Sequence, residues 1–452
     1  MVDPSRPEFF ERVRLLTRRR VELGVRGWSA VVASVVGFAL VIEVAARLNS
    51  TRGPLDLIVH DFAGRPGVGE IKTAALILAL VCMPARLRWR VLGGVAALEI
   101  LWNLQRLAVG NTPIVGNGML WGLVATGAYA LWRLHGTEKA STLKAVGLGL
   151  MMIVVGRVGD VWLVLSMKAS PLVLDHYVEM ADRALGSPSW VVGRVVDDST
   201  VLTEVLGRIY VYLPVGAAVI AYLQLRNSAR DGFPRHHIIR TFLLIGAIGP
   251  IIYFLFPVVG PTYAFGSEVP GAGWLDVWPH AVPETTVPAA QFYDQSVPRN
   301  CMPSLHTAWA MAIFLHGWRG GTGSKVFGSV WLLATTGATL GFGFHYAVDV
   351  LAGIVFVLTL EAALTRPDMG WTRLRAGVIA CGAVMFAALL LMTRYAAPWL
   401  AVGGALPVLL LLAPVVITVG GFLLVERPEK FRLPDFSDGP RIGGRLPQRV
   451  QV

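Results

Sequence analysis

Long runs of apolar residues alternate along this chain with short segments rich in charge, proline and glycine. A helix needs about 20 mostly apolar residues to cross a bilayer. By that measure the pattern predicts about twelve transmembrane helices and an all-α integral membrane fold. Their centres lie in 28–48, 68–84, 91–109, 114–134, 145–165, 205–225, 239–258, 303–318, 325–342, 346–364, 374–393 and 399–425.

The charged residues between these runs predict an orientation. Lys and Arg collect in every second loop, starting with the N-terminal segment, which is typical of loops on the cytoplasmic side of a membrane. The two long loops on the opposite side carry acidic residues instead, among them Asp175, Asp182 and Glu284. We therefore expect both termini to be cytoplasmic (N-in/C-in) and the chain to reside in the cytoplasmic (inner) membrane.

The same pattern divides the chain into six parts. We expect a basic cytoplasmic N-terminal segment, a set of transmembrane helices of unknown role, an extracytoplasmic segment, a catalytic membrane core, a C-terminal set of helices and a cytoplasmic tail. Their bounds, in that order, are 1–27, 28–165, 166–204, 205–365, 366–425 and 426–452. The long loop 260–302 is rich in Pro, Trp and Tyr. Loops of that length are usually functional or disordered, and its aromatic residues favour a partly ordered element at the membrane interface.

Composition agrees with a membrane protein and excludes two other classes. Of 452 residues, 54% are hydrophobic and 15% are charged, whereas soluble domains are about 25% charged. The net charge of +11 lies in loops beside apolar runs, so it does not predict a nucleic-acid partner. The three cysteines, Cys82, Cys301 and Cys381, are too scattered for a disulfide framework or a C-x-x-C metal site.

Two polar pairs inside predicted helices leave two interpretations open. Arg157 and Asp160 lie three residues apart on one helix face. They are either a functional charged site or a structural pair whose charges neutralise each other. Glu99 and Asn103 lie four residues apart and either line a polar cavity or join neighbouring helices.

Two short stretches contain the candidate chemistry. Residues 300–306, NCMPSLH, place His306 at the start of the eighth predicted helix, and residues 345–349, HYAVD, begin the tenth. The two histidines are 39 residues apart, about two membrane spans with their turn, so the chain returns both to the same membrane face. His345 and Asp349 are four residues apart and share one face of a helix.

These residue types suit covalent phosphoryl transfer on the extracytoplasmic side. His345 can attack phosphorus if one ring nitrogen is free and Asp349 accepts a hydrogen bond from the other. His306 can protonate the leaving oxygen and later deprotonate the acceptor. Ser304 and the adjacent helix N-terminus can bind phosphate oxygens, and Arg299 can neutralise their charge.

The motif MPSLH at 302–306 and the motif HYxxD at 345–349 resemble the second and third motifs of the type 2 phosphatidic acid phosphatase superfamily. The resemblance covers about residues 200–365. Leu305 and the pair formed by His345 and Tyr346 are more similar to the inositol phosphorylceramide synthase branch of that superfamily.

The resemblance implies a six-helix catalytic core that forms a phosphohistidine intermediate, with no metal and no other cofactor. It also implies a lipid-linked phosphate or phosphodiester substrate, with membrane lipids as the surroundings. By motif match, His345 is the nucleophile, Asp349 its orienting partner and His306 the acid and base, with Ser304 and Tyr346 in the substrate site.

The chain departs from the phosphatase branch at two places. Thr339 stands where that branch has an arginine six residues before the nucleophile, and residues 256–263 replace its basic first motif. This favours a phosphotransferase, with phosphoinositol transfer as one form of the reaction. The alternatives are a phosphatase of lipid phosphates or polyprenyl (pyro)phosphates and, in another class, a non-enzymatic membrane transporter.

Overall fold

The computed structural model describes residues 25–63, 69–81, 83, 85–227, 234–266, 281–365 and 371–426. The expected basic segment 1–27 and tail 426–452 lie almost entirely outside the described residues, and so does the middle of the loop 260–302. Within the described ranges the chain is mainly helical.

The first part of the chain forms helices that are mostly long. They are α1 (Val25–Leu48), α2 (Pro54–Phe62), α3 (Gly69–Val81), α4 (Ala85–Ala108), α5 (Asn117–Arg133) and α6 (Gly136–Ala169). Within this part, α3 packs against α6, α4 packs against α5, and α5 packs against α6.

A segment of short elements follows, and a second group of long helices completes the chain. The short elements are β1 (Leu172–Val173), α7 (Asp175–Ala184) and α8 (Pro188–Asp197). The later elements are α9 (Thr200–Val211), α10 (Leu213–Leu225), α11 (Ile238–Leu255), α12 (Pro261–Ala264), β2 (Gln291–Phe292), α13 (Leu305–Trp318), α14 (Thr322–Gly341), α15 (Ala347–Leu364), α16 (Arg373–Tyr395), α17 (Ala397–Ala401) and α18 (Ala405–Glu426). β1 and β2 pair in antiparallel orientation, with Leu172 opposite Phe292.

Each of the twelve apolar runs coincides with a helix or, for 205–225, with the pair α9 and α10. Five of the described helices, α6, α11, α15, α16 and α18, are long and apolar enough to cross a membrane. The pair α9 and α10 makes a sixth if it is one span bent by 57°. These helices indicate a multi-pass membrane protein. The number twelve stays a prediction, because α3 and α13 have only 13 and 14 residues. The N-in/C-in orientation stays a prediction as well.

The two polar pairs predicted inside helices both have structural partners. Asp61 of α2 accepts hydrogen bonds from Nε and Nη2 of Arg157 at 2.6 and 2.5 Å and lies 3.2 Å from Nζ of Lys72. Asp160 accepts a hydrogen bond from Nη1 of Arg157 at 2.9 Å. The expected pair is therefore part of a larger ion cluster that joins α2, α3 and α6.

Glu99 and Asn103 join α4 to the start of α5. The Glu99 carboxylate accepts hydrogen bonds from the backbone N–H groups of Gly116 and Gly118 at 2.6 and 2.5 Å, and Asn103 Oδ1 accepts one from the backbone N–H of Ile114 at 2.8 Å. Since these bonds fix the connection between two helices, they favour the interpretation that this pair joins helices.

A buried polar network occupies the end of α13 and α15 that is remote from the two sequence motifs. Glu361 is fully buried and lies 2.9 Å from Nε2 of His316, 3.1 Å from Nε2 of His236 and 3.2 Å from Nη2 of Arg319. Burying an unpaired carboxylate is costly, so these partners offset much of its desolvation. The network ties α13, α15 and the start of α11 together.

At the other end of the same helices, close approach of α13 and α15 brings the two motifs side by side. The backbone N–H of Ser304 donates to the carbonyl oxygen of Asp349 at 3.0 Å. Gly353 makes this approach feasible, because a Cβ at that position would lie 2.5 Å from the Ser304 carbonyl oxygen. Small residues commonly permit such contacts between membrane helices.

We expect Gly353→Ala to lower the free energy of unfolding by about 1–3 kcal/mol, because the added methyl group forces α13 and α15 apart. Thermal unfolding in detergent measures the change. Gly420→Ala on α18, where a Cβ would meet no atom within 4 Å, is the matched control and should keep the wild-type midpoint. Equal midpoints for the two variants would contradict the close contact.

Candidate active site

His345 lies in the loop just before α15 and is buried. Its Nδ1 is 2.8 Å from the carbonyl oxygen of Cys301. Because a carbonyl oxygen only accepts hydrogen bonds, Nδ1 is the protonated nitrogen and Nε2 keeps its lone pair for attack. Burial also lowers the pKa of His345 to about 4, so the imidazole is neutral at physiological pH.

Asp349 does not make the hydrogen bond to His345 that the motif suggested. Its Oδ2 is 3.9 Å from Nδ1 of His345, too far for a hydrogen bond. The same oxygen instead accepts from the backbone N–H of Tyr346 and from Sγ of Cys301, both at 2.7 Å. The Cys301 carbonyl is therefore the direct hydrogen-bond partner of His345, and Asp349 contacts Cys301 and the first turn of α15. The catalytic role of Asp349 stays a prediction.

His306 is in the first turn of α13 and is held by Tyr210 of α9. The Tyr210 hydroxyl lies 3.1 Å from Nδ1 of His306, and the two rings stack with centroids 4.0 Å apart. Nε2 is then the nitrogen available for acid–base chemistry. The Tyr210 ring also lies 5.5 Å from that of Phe344, which precedes His345, so one tyrosine contacts both motif segments.

Ser304 is the N-cap residue of α13, as its place before the helix suggested. Its Oγ accepts a hydrogen bond from the backbone N–H of Thr307 at 3.3 Å and lies 3.0 Å from the Thr307 hydroxyl. A Ser cap stabilises a helix N-terminus, where the helix dipole favours an anion. Phosphate binding by Ser304 stays a prediction.

The structure does not support the expectation that Arg299 neutralises the phosphate. Its side chain is fully buried and its guanidinium donates to backbone carbonyl oxygens. These acceptors are Ser170, Tyr293, Asp294 and Val297, at 3.1, 2.9, 2.6 and 2.5 Å. Arg299 therefore anchors the loop before α13 to the segment before β1, because its donors are used for the chain's own backbone.

The Tyr346 side chain also points to a structural partner. It is buried, and its hydroxyl donates to Oδ1 of Asp175 at 3.0 Å. This bond joins the start of α15 to α7, and the expected place of Tyr346 in the substrate site stays a prediction.

A stripe of acidic residues on α7, which the sequence analysis placed only on the outer surface, supports the motif loops. Asp175, Glu179 and Asp182 follow one another at spacings of four and three residues, and all three are buried. Asp175 accepts from the backbone N–H groups of Val259 and Gly260 at 3.1 and 2.9 Å, and Asp182 accepts from that of Ala347 at 2.7 Å. Burial raises the pKa of Asp175 and of Asp182 to about 6.

The helical spacing of this stripe was the available signal, since residues at i, i+4 and i+7 share one face. Their burial and their backbone partners depend on loops far away in sequence, which no local pattern reveals. α7 itself packs against α15, α16 and α17.

Cys301, His345 and Asp349 also have the spacing of a metal-binding group, with one ligand atom of each within 4.8 Å of the others. Burial raises the pKa of the Cys301 thiol well above its ordinary value, and the negative charge of Asp349 raises it further. The thiol therefore stays protonated and donates a hydrogen bond to Asp349. This favours a hydrogen-bonded site over a metal centre, and the expectation of no metal stays a prediction.

Both motifs fall within a segment that a family model recognises. Residues 178–363 match the PAP2 superfamily. This PAP2 region starts inside α7, ends in α15 and contains both histidines, so it supports the superfamily that the motifs suggested. Residues 26–165 match a second model, described as a domain of unknown function (DUF5933). No curated protein and no solved structure matches the chain.

We expect Arg299→Lys to lower the free energy of unfolding by roughly 2–4 kcal/mol, because lysine lacks the planar fork that reaches several carbonyl oxygens at once. Thermal unfolding and size-exclusion behaviour in detergent measure the loss. Arg208→Lys, at an exposed ion pair on α9, is the control and should match the wild type. A stable Arg299→Lys protein with a changed KM alone would restore the phosphate-binding interpretation.

Proposed function

We propose that this protein is a membrane phosphotransferase that acts on a lipid-linked phosphate or phosphodiester through a phosphohistidine at His345. The observation that carries the proposal is the fixed imidazole of His345, whose Nδ1 is bound to the Cys301 carbonyl and whose Nε2 keeps its lone pair. The match of residues 178–363 to the PAP2 superfamily supports a reaction of the phosphatase or phosphotransferase type.

In the first step, Nε2 of His345 attacks phosphorus and the bond from phosphorus to the leaving oxygen breaks. His306 gives the leaving oxygen a proton. The phosphorylated imidazole carries a positive charge, which the Cys301 carbonyl oxygen stabilises through the proton on Nδ1. The N-terminus of α13 lies at His306, where its dipole favours the phosphate oxygens.

In the second step, an acceptor hydroxyl loses its proton to His306 and attacks the phosphohistidine. The bond from phosphorus to nitrogen breaks, and the electron pair returns to Nε2 of His345. A lipid or glycan hydroxyl as acceptor gives a new phosphodiester or phosphomonoester, whereas water gives free phosphate or a free phospho-alcohol.

The residue Thr339 favours transfer over simple hydrolysis, because it replaces an arginine of the phosphatase branch. Here Thr339 is buried, its hydroxyl donates to the Thr336 carbonyl at 2.8 Å, and its own carbonyl accepts from the backbone N–H of His345 at 3.2 Å. Thr339 thus supports the histidine loop without supplying charge to a phosphate. A synthase-like reaction, with phosphoinositol transfer as one form, fits this departure.

The proposal locates the reaction at the extracytoplasmic face of the cytoplasmic membrane. The support is the alternation of basic and acidic loops along the chain. On that orientation, lipid phosphates of the outer leaflet reach the site without crossing the membrane.

The products of purified protein decide between transfer and hydrolysis. With a phosphatidylinositol donor and a lipid hydroxyl acceptor, we expect a new phosphodiester; with a polyprenyl phosphate alone, release of free phosphate would indicate hydrolysis instead.

Substituting the nucleophile by His345→Ala should lower either rate by about a thousandfold or more, because the covalent route is lost.

His135→Ala, at an exposed histidine before α6, is the control and should keep the wild-type rate. Both purified proteins should elute as folded monodisperse material. Lipid-phosphate turnover that survives His345→Ala would overturn the enzymatic proposal.

We further expect kcat/KM to fall at acidic pH with a midpoint near pH 4. The reaction needs neutral His345, and burial lowers the pKa of His345 to about 4 from its usual 6.5, so the reactive form persists as the pH falls through 6 and 5. Initial rates in detergent across that range, with activity recovered after return to neutral pH, measure the midpoint. A midpoint near 6.5 would contradict a buried nucleophile.

A further inference from the structure

A cavity of about 450 Å³ lies between the N-terminal helices α3 and α6 and the helices α9, α10, α11 and α13 of the PAP2 region. His306 and its partner Tyr210 both line it. The volume falls in the range of sites for small organic molecules. The cavity therefore adjoins the histidine to which the proposed function gives the acid–base role, and the N-terminal helices form its opposite wall.

The wall of this cavity is mainly apolar. Along α11 the lining extends from Phe242 to Tyr253, a distance of about 16 Å at 1.5 Å per residue. On α6 it includes Met152 and Val155. Since α6 and α11 are both long and apolar enough to cross a membrane, the cavity follows two membrane helices. Its shape and chemistry fit a hydrocarbon chain better than a polar headgroup.

A carboxylate on the N-terminal wall restricts where a phosphate can lie. Glu70 of α3 and Asp160 of α6 both line this wall of the cavity. Arg157 offsets the charge of Asp160, with which it pairs at 2.9 Å. A phosphate near this wall would therefore meet the negative charge of Glu70, so the charge pattern directs it to the other wall, where His306 lies.

Glycines of α6 create the space on the N-terminal side. Gly156 and Gly159 both line the cavity, and a Cβ built at Gly159 would meet no atom within 4 Å. At Gly156 a Cβ would lie 3.0 Å from Cδ1 of Ile71 on α3. The absence of a side chain at Gly159 leaves room that leucine, valine or isoleucine would fill, and its absence at Gly156 lets Ile71 of α3 approach α6.

We propose that this cavity binds the hydrocarbon chain of the lipid-phosphate substrate, so that the N-terminal helices α3 and α6 form half of the substrate site. This inference rests on the proposed function, in which the phosphate is transferred to His345 within reach of His306. It gives the N-terminal unit, which matches only a domain of unknown function, a defined task. The helices select substrates with a long apolar chain.

The test narrows the cavity at a position that tolerates a larger side chain. Gly159→Leu places an isobutyl group in the open space, whereas Gly147→Leu makes the same change on the same helix at a position outside the cavity, with no atom within 4 Å. Rates are measured with dipalmitoyl and dihexanoyl phosphatidylinositol as donors and a lipid hydroxyl as acceptor, so the two donors share one headgroup and differ in chain length.

We expect Gly159→Leu to lower the ratio of kcat/KM for the long-chain over the short-chain substrate by about tenfold or more, since one added methylene group in an apolar site already changes selectivity by that order. Gly147→Leu should keep the wild-type ratio. An unchanged ratio in Gly159→Leu, with active wild-type protein, would overturn the inference and leave the proposed function intact.

A second measurement does not depend on turnover. A phosphatidic acid with a photoreactive diazirine at the end of its acyl chain should crosslink to peptides of α6 and α11 around Met152 and Phe242, and Gly159→Leu should reduce that crosslink. Crosslinks confined to other helices would overturn the inference. If the expected crosslink forms but wild-type protein turns over no lipid phosphate, the proposed function fails and the chain-binding site stands.

Discussion

The hydrogen bond between Nδ1 of His345 and the carbonyl oxygen of Cys301 is the interaction on which the site depends. It joins two loops far apart in sequence and, at the same time, selects the tautomer with a free Nε2. Cys301 is itself held from two sides, because its backbone N–H donates to the Val258 carbonyl at 3.1 Å and its thiol donates to Asp349. A change in any of these contacts moves the imidazole, so the geometry of the nucleophile is a property of the whole loop cluster.

Buried carboxylates that accept backbone N–H groups hold that cluster. Asp175, Asp182 and Asp349 bind the starts of α12 and α15 in this way, and each offsets its own desolvation while satisfying donors that the loops leave unpaired. Glu361 plays a different part at the far end of α15, where its partners are side chains of two other segments, the end of α13 and the residues before α11. The two ends of the helix pair α13 and α15 are thus both fixed by polar contacts, with an apolar core between them.

The sequence predicted the helices and the two motifs well because both signals are local. Apolar runs identify helices whatever their neighbours are, and the return of His345 to the level of His306 follows from counting residues. The partners of Asp349, Arg299 and Tyr346 could not be predicted, since each depends on which atom of a distant loop lies within 3 Å. Arg299 shows the difficulty: its place beside the motif suggested phosphate, but the carbonyl oxygens of the folded loop bind the same donors.

The ion cluster of the N-terminal helices bears on the cavity as well as on their packing. Asp61 binds Arg157 and Lys72, which joins α3 and α6 to α2, and Gly156 and Gly159 of α6 line the cavity that faces the PAP2 region. Because separating a buried carboxylate from its cationic partners is costly, the cluster fixes the position of α3 relative to α6. A polar feature of the N-terminal half thus sets the shape of one wall of the apolar cavity beside His306.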